Sequence, residues 1–179
     1  MNASFTFRPA RPSDLDRIWQ IICQAKDQMK RLGSQQWQDG YPTPQDIMRD
    51  IEREYAYVLC EEGRVIAYGA VIFEGEPAYE DITGGEWLND GLYVVVHRLA
   101  VADEAKQRGI ATRFMQEVEA LSVRGNIYQF RVDTNFDNYY MHKMLARLGF
   151  SYCGKIKYER GERLAYHKDM RQQDGRREV

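Results

Sequence analysis

The fold is decided by residues 93–101, YVVVHRLAV, together with residues 102–115, ADEAKQRGIATRFM. The first segment is dense in β-branched and aromatic residues, which favours a buried strand. The second begins with a short polar turn, after which apolar side chains recur at helical spacing at Ile110, Phe114, Val118 and Leu121. The sequence therefore predicts a strand, a turn and an amphipathic helix, and we expect the other elements to be built around this unit.

The turn in this unit is suited to binding an anion. A helix N-terminus presents unpaired N–H groups and the positive end of a dipole, both of which favour phosphate oxygens. Gly109 has no Cβ and lets an anion approach the backbone, while Lys106 and Arg108 add positive charge. An ordinary connection with solvated basic residues has the same pattern, so the turn alone leaves both interpretations open.

Residues 98–101, RLAV, and residues 106–111, KQRGIA, resemble the acetyl-CoA-binding signature of the GNAT N-acetyltransferase superfamily. That signature has Gln or Arg, two residues, Gly, one residue, and then Gly or Ala at the start of a helix. Gly109 and Ala111 match it, whereas Lys106 stands where Gln or Arg is usual. The resemblance implies that the cofactor, acetyl-CoA, is bound by Leu99, Ala100 and Val101 on the strand and by Lys106, Gln107, Arg108, Gly109, Ile110, Ala111 and Thr112 at the turn.

A second segment, residues 131–141, RVDTNFDNYYM, resembles the next strand and helix of the family, which close with a Gly-Phe pair at residues 149–150 here. Asn138 matches the Asn that faces the cofactor, and Asn135 is assigned to the cofactor with it. Leu145 stands where many members carry a Tyr that acts as the general acid, so that role is not carried over.

The rest of the chain alternates strand and helix patterns. These predict strands at residues 5–8, 55–60, 65–73, 128–133, 152–158 and 163–167, and helices at residues 13–32, 45–54 and 138–148. Ser13 with Asp16 is predicted to cap the first helix, and Thr43-Pro44 the second. This order favours an α/β (α+β) fold with a mixed, twisted β-sheet and helices on both faces.

The same order fits the GNAT fold. There, the resemblance implies, the fourth and fifth strands splay apart, and the pantetheine arm of the cofactor bonds to the fourth strand near Leu99 and Val101. Unpaired backbone groups at such a splay accept an amide-bearing ligand like an added strand. We expect one domain over residues 1–170 and a polar tail over residues 171–179.

Composition excludes several function classes. The 179 residues include 25 basic and 27 acidic side chains, a net charge of −2, which gives no bulk positive field for nucleic acid. No apolar segment has the length of a signal peptide or a membrane span. Three widely spaced cysteines, Cys23, Cys60 and Cys153, predict neither a disulfide framework nor a metal site. A cytoplasmic protein with reduced thiols is the simplest interpretation.

Two aromatic segments are candidates for binding the acceptor. Trp37 and Tyr41 lie in a predicted loop rich in Gly, Pro and amides, where aromatics either contact a ligand or hold the loop against the core. Residues 74–91 form a long insertion that contains Tyr79 and Trp87. Such an insertion serves either as a lid over an amine acceptor or as a solvated surface excursion.

The catalytic groups are less well defined by the pattern. His97 on the central strand has an intrinsic pKa suited to proton transfer, although a strand His is more often structural. The insertion adds carboxylates as alternative bases, and the helix after the fifth strand adds hydroxyls that could protonate the departing thiolate. These candidates are Glu80, Asp81 and Glu86 for the base, and Tyr139 and Tyr140 for the acid.

Together these features predict an N-acetyltransferase that transfers acetyl from acetyl-CoA to a primary amine of a small molecule or peptide. Direct attack in a ternary complex is favoured, because no Cys has the context of a nucleophile with a base and an orienting group. A non-catalytic acyl-CoA-binding or partner-binding module with the same fold is the alternative. A homodimer formed through the final hairpin stays open.

Overall fold

The structure, a computed structural model, describes residues 3–171 and contains seven strands and four α-helices in this range. The strands are β1 (Phe5–Pro9), β2 (Ala56–Glu61), β3 (Arg64–Ile72), β4 (Tyr93–Val101), β5 (Gln129–Thr134), β6 (Ser151–Tyr158) and β7 (Gly161–Asp169). The helices are α1 (Leu15–Arg31), α2 (Pro44–Glu52), α3 (Ile110–Arg124) and α4 (Tyr139–Arg147). The strand order is β1-β2-β3-β4-β5-β7-β6, with β4 and β5 parallel, which confirms the predicted mixed sheet.

The chain divides into two compact units. The first comprises residues up to Val71 together with Val96–Glu117, and the second comprises Ile72–Val95 together with the residues from Val118 onward. The single domain over residues 1–170 stays a prediction. The predicted polar tail lies outside the described residues from Gln172 onward.

In the first unit, β1, β2 and β3 form antiparallel pairs, and α1 and α2 bury apolar side chains such as Ile18 and Ile47. Phe114 of α3 is fully buried and packs edge-on against Phe7, with ring centroids 5.2 Å apart. A Cβ at Gly69 would lie 2.8 Å from the Phe114 ring, so only glycine permits this close approach.

Helix capping in this unit was predicted in part. Thr43 caps α2 as predicted: its Oγ1 accepts from Asp46 N at 3.2 Å, and its own N–H donates to Asp46 Oδ2 at 2.7 Å. The predicted Ser13 cap of α1 is wrong. A 3-10 turn precedes α1, and the reciprocal contact comes from Arg11, whose N–H donates to the Asp14 side chain at 2.7 Å.

In the second unit, β5 pairs with β7 and β7 pairs with β6, all antiparallel. Phe150, which follows Gly149 at the end of α4, packs edge-on against Phe130 with ring centroids 5.1 Å apart. Leu145 is fully buried in the core of this unit.

The insertion at residues 74–91 is hydrogen-bonded to other segments of this second unit, while many of its side chains are exposed, so its role as a lid or as a surface excursion stays open. It forms a 3-10 turn at Pro77–Asp81, and Thr83 makes an isolated antiparallel bridge to Lys155 of β6. Trp87 Nε1 donates to Tyr79 O at 2.8 Å, and Asn89 Nδ2 donates to Gln129 Oε1 at 2.9 Å.

The ladder between β4 and β5 is short. It contains the pairs Tyr93↔Gln129, Val94↔Phe130 and Val95↔Arg131, while β4 continues to Val101 and β5 to Thr134. The ladder thus ends part-way along β4. The divergence of the two strands beyond it stays a prediction. No helix within residues 3–171 combines the length and the apolar character that crossing a bilayer requires.

His167 of β7 is hydrogen-bonded to the insertion. Its ring is fully buried, Nδ1 accepts from Leu88 N at 3.2 Å, and Nε2 lies 2.9 Å from Gln129 Oε1. Because Leu88 N is a donor, this ring is the neutral tautomer with the proton on Nε2. Burial, with a further contribution from the Arg131 charge, lowers the pKa of His167 to about 4.

This lowered pKa predicts a loss of stability in mild acid. The unfolded chain takes up the proton near pH 6.5, before the folded chain does, so the contribution is complete above pH 6.5 and is lost as the pH falls towards 4. We expect the free energy of unfolding to fall by up to about 1.4 kcal/mol per pH unit from this group. Urea unfolding should show that the free energy of unfolding falls less steeply between pH 7 and pH 4 in His167→Gln than in the wild type. The same pH dependence in both proteins would contradict this assignment.

Candidate functional site

The first unit contains the connection from β4 to α3, where the sequence predicted an anion site. The backbone takes positive φ values at Gln107 (60°) and Gly109 (72°), and α3 begins at Ile110. Within residues 3–171, and apart from its chain neighbours, a Cβ built at Gly109 meets no heavy atom within 4 Å, so the space beside this backbone is open. Arg113 N bonds to Gly109 O at 2.9 Å, which leaves the N–H groups of the first helical turn without partners inside the helix. The connection therefore has the backbone of an anion cradle.

Both basic side chains of this connection are engaged with acidic neighbours. Lys106 pairs with Asp103, three residues earlier, and Arg108 forms a two-point contact with Glu61 of β2, with Arg108 Nη1 3.0 Å from Glu61 Oε2. Arg108 is exposed, and surface pairs of this kind contribute little to stability. The Arg108 side chain is therefore available to an anion that competes with Glu61 for it.

Strand β4 is irregular next to the connection. Arg98 has φ 56°, a left-handed conformation that is rare for a residue other than Gly. His97, Leu99 and Val101 are half-buried, and Ala100 is 4% exposed.

The Arg98 side chain lies in a buried polar network. Its Nη2 donates to Asp50 Oδ1 at 2.6 Å and its Nε to Asp50 Oδ2 at 2.9 Å, while Nη1 donates to Tyr41 Oη at 2.6 Å. Tyr68 of β3 donates to Asp50 Oδ2. Burial alone would lower the pKa of Arg98, but Tyr41, Asp50 and Tyr68 together raise it well above its ordinary value. Burial and Asp50 raise the pKa of Tyr68, so its hydroxyl stays protonated and donates.

The second unit contains a different organised carboxylate, Asp133 near the end of β5. Tyr79 Oη donates to Asp133 Oδ2 at 2.7 Å, and Tyr158 Oη donates to the same oxygen at 2.8 Å. Burial and the Asp133 charge raise the pKa of both tyrosines far above the ordinary value, so both remain donors. Asp133 itself is half-buried. One carboxylate oxygen is thus fixed by two hydroxyls on a partly accessible side chain.

The predicted cofactor residues after β5 have local structural contacts. Asn138 is the N-cap of α4 and accepts from Met141 N at 3.2 Å. Asn135 is 7% exposed, and its side chain donates to Asp137 at 2.5 Å and accepts from Arg163 at 3.2 Å. Their assignment to the cofactor stays a prediction.

The predicted acceptor residues divide between the two units. In the first unit, Tyr41 receives the hydrogen bond from Arg98, which supports the interpretation that it holds the loop against the core, and Trp37 has φ 62°. In the second unit, Tyr79 is 1% exposed and packs against Trp87 with ring centroids 5.0 Å apart. Tyr79 is therefore placed to orient Asp133 rather than to form an open surface.

Most of the predicted proton-transfer groups lie on exposed segments of the second unit. Glu80, Asp81 and Glu86 are exposed on the insertion. Tyr139 and Tyr140 are 70% and 68% exposed at the start of α4. Their roles stay predictions, as does that of His97. Within residues 3–171 there is no group of three or more His, Cys, Asp or Glu side chains that could hold a metal ion.

Sequence reasoning missed both organised carboxylates. Asp50 and Arg98 are 48 residues apart, and Tyr79 and Asp133 are 54 residues apart, so no local spacing joins them. A single signal was present: a charged residue within a buried strand, such as Arg98 or Asp133, needs a partner.

Comparison with known proteins places the chain in a family. The model of the Acetyltransferase (GNAT) family matches residues 17–150, and the chain belongs to that family. An acetyltransferase of the GNAT family from Streptococcus agalactiae 2603 is 38% identical, with a TM-score of 0.85, over 94% of this chain and 98% of that one. A comparison with curated proteins gave no match.

Two more distant solved structures share the fold. A GNAT-family acetyltransferase from Listeria monocytogenes 4b F2365 is 22% identical, with a TM-score of 0.73, over 94% of this chain and 98% of that one. The yncA protein of Salmonella typhimurium, solved with its cofactor acetyl-CoA, is 16% identical, with a TM-score of 0.65, over 93% of this chain and 94% of that one.

The contact between Tyr79 and Asp133 predicts a measurable coupling. In a double-mutant cycle of Tyr79→Phe and Asp133→Asn, we expect a coupling of about 1.5–3 kcal/mol in the free energy of unfolding, since the hydrogen bond joins a buried hydroxyl to an ionised group. Tyr152, which is 52% exposed on β6, is the control. A cycle of Tyr152→Phe with Asp133→Asn should give coupling near zero, and equal coupling in the two cycles would contradict the contact.

Proposed function

We propose that the protein is an N-acetyltransferase that transfers an acetyl group from acetyl-CoA to a primary amine of a small molecule or peptide. The observation that carries the proposal is the connection at residues 106–112, where Gly109 is exposed and has positive φ directly before the start of α3, which forms the proposed anion cradle. Membership of the GNAT family supports the transferase class, and the acetyl-CoA complex of the yncA protein supports the choice of acyl donor.

The residues present fit a CoA ester. The amides at the start of α3, with Lys106 and Arg108, would hold the diphosphate, because open space beside Gly109 lets phosphate oxygens reach the backbone. The backbone of Leu99 and Val101 on β4 would hold the pantetheine amides in the manner of an added strand. When bound, acetyl-CoA supplies an activated acyl group as a thioester.

Direct attack of the amine is proposed because the thiols of this chain are poor nucleophiles. Burial raises the pKa of Cys23, Cys60 and Cys153 alike, so each stays a protonated thiol at neutral pH. All three are free cysteines, which fits a reducing compartment and is the basis for proposing a cytoplasmic location.

The amine must be neutral when it attacks, so a nearby group has to accept its proton. His97, Glu80 and Tyr140 are the proposed acid–base residues, and Asp133 joins them because two tyrosines fix its carboxylate. The Leu99 N–H is the proposed donor to the acyl oxygen as negative charge develops there. Trp37 and Trp87 are proposed to contact the acceptor, and Tyr41 to hold its loop against the core.

A non-catalytic acyl-CoA-binding module is the second candidate. Leu145 is buried and stands where many family members have a Tyr that acts as the general acid. This favours the second candidate, because the departing thiolate would lack that proton donor.

The first test is turnover. The purified protein is incubated with acetyl-CoA and a panel of primary amines, including amino sugars, polyamines, amino acids and peptides, while released thiol is measured. Turnover on particular amines is expected. Saturable binding of acetyl-CoA without thiol release on any amine would favour the second candidate, and absence of binding would contradict both.

The anion cradle predicts an effect of Gly109→Ala. A Cβ at φ 72° strains the backbone and narrows the approach to the amides, so we expect the Kd for acetyl-CoA to rise about tenfold or more, as for the loss of one or two charge-assisted hydrogen bonds. Isothermal titration calorimetry measures this Kd.

Gly63→Ala is the matched control. Gly63 lies in the β2–β3 turn with φ 79°, and nothing lies within 4 Å of its built Cβ either. The two variants should lose similar stability, but only Gly109→Ala should lose affinity. Equal affinity in both variants would rule out the cradle.

A further inference from the structure

We propose that Asp50 is a positioning residue, which holds the irregular backbone of β4 at Arg98 so that the Leu99 N–H keeps the direction required for the reaction. The inference rests on the proposed function, since the role of the Leu99 N–H comes from it. The interaction joins α2 to β4, and all the residues involved belong to the first unit.

Arg98 has an unusual backbone conformation for a residue in a strand. A φ of 56° in a strand is unfavourable for a residue with a Cβ and persists only where surrounding contacts determine it. The Arg98–Leu99 peptide is bonded to the Arg98 Cα, so a change in the Arg98 backbone turns the Leu99 N–H. Whatever holds Arg98 in place therefore orients that donor.

The Arg98 side chain is held by Asp50. Asp50 receives two hydrogen bonds from the Arg98 guanidinium, at 2.6 and 2.9 Å, in the fork geometry that fixes both distance and plane. The side chain of Asp50 is 6% exposed and that of Arg98 is 15% exposed, so water competes little for either.

Asp50 is itself held in place by a further hydrogen bond. Tyr68 of β3 donates to its Oδ2, and Tyr41 occupies the remaining side of the guanidinium at 2.6 Å. The loop before α2, helix α2 and strand β3 thus all contribute to the pair of Asp50 and Arg98. A simple stabilising ion pair requires no such conformation in its arginine.

The pair of Arg8 and Asp14 supplies the control within the same unit. It has the same two-point geometry, with distances of 2.8 and 3.0 Å, and its side chains are 22% and 12% exposed. Arg8 lies in β1 and has no positive φ.

The first experiment compares Asp50→Asn with Asp14→Asn on the best amine from the panel. We expect Asp50→Asn to lower kcat about 10- to 100-fold, part of the effect of losing an oxyanion donor, with a smaller change in the KM for acetyl-CoA. Asp14→Asn should lower the Tm but leave kcat within about twofold. Loss of kcat in proportion to Tm in both variants would overturn the inference.

The second experiment separates the backbone conformation from the charge. Arg98→Gly and Arg98→Ala both remove the guanidinium, but only glycine adopts positive φ without strain. Arg98→Gly should therefore keep a kcat at least about fivefold above that of Arg98→Ala, since part of the donor geometry survives. Equal kcat in these two variants would contradict a backbone role, and they remain informative even if Asp50→Asn does not fold.

The third readout needs no turnover. Amide hydrogen exchange of the protein without ligand should be faster at Leu99 in Asp50→Asn than in the wild type, with no such change in Asp14→Asn. If the wild type acetylates no amine, the proposed function fails, while this exchange arm still tests the inference. Unchanged exchange at Leu99 in a folded Asp50→Asn protein would overturn it.

Discussion

The backbone at Gly109 is the constraint on which the proposed site depends. Strand β4 leads through a short turn into α3, and Gln107 and Gly109, which both have positive φ, are exposed just before the helix begins at Ile110. Because no described residue beyond its chain neighbours has a heavy atom within 4 Å of a Cβ built at Gly109, the preference for glycine there is conformational. The open space beside Gly109 would let an anion reach the N–H groups at the start of α3.

A second physical theme is the fixed carboxylate. Asp50 in the first unit and Asp133 in the second each accept hydrogen bonds from tyrosine hydroxyls whose pKa is raised by burial and by the carboxylate itself. Burying a hydroxyl or a carboxylate is costly unless it forms hydrogen bonds, and here the tyrosine hydroxyls donate to the carboxylates. The two carboxyl groups differ in their partners. Asp50 forms an ion pair with Arg98, whereas Asp133 is half-buried and accepts hydrogen bonds from neutral hydroxyls. The first arrangement suits positioning, and the second suits contact with a polar ligand.

Much of the fold could be predicted from local patterns. The strand at residues 93–101, the helix starting at Ile110 and the cap at Thr43 follow from β-branched density, helical spacing and a capping box, all of which act within a few residues. The cap of α1 was wrong because Arg8 and Arg11 both bind Asp14, and that competition depends on the path of β1. The burial of Tyr79 and the Asp50–Arg98 pair were not predictable, because each depends on residues about fifty positions apart meeting in the folded chain.

The central claim is that residues 106–112 and the end of β4 bind the diphosphate and pantetheine parts of acetyl-CoA. The most direct measurement is a titration of isotopically labelled protein with acetyl-CoA, followed by backbone amide NMR. We expect saturable shifts at Gly109, Ile110 and Ala111 together with Leu99 and Val101, and smaller changes at Gly63 in the β2–β3 turn. Saturable shifts confined to other parts of the chain, or the absence of any shift at millimolar acetyl-CoA, would contradict it.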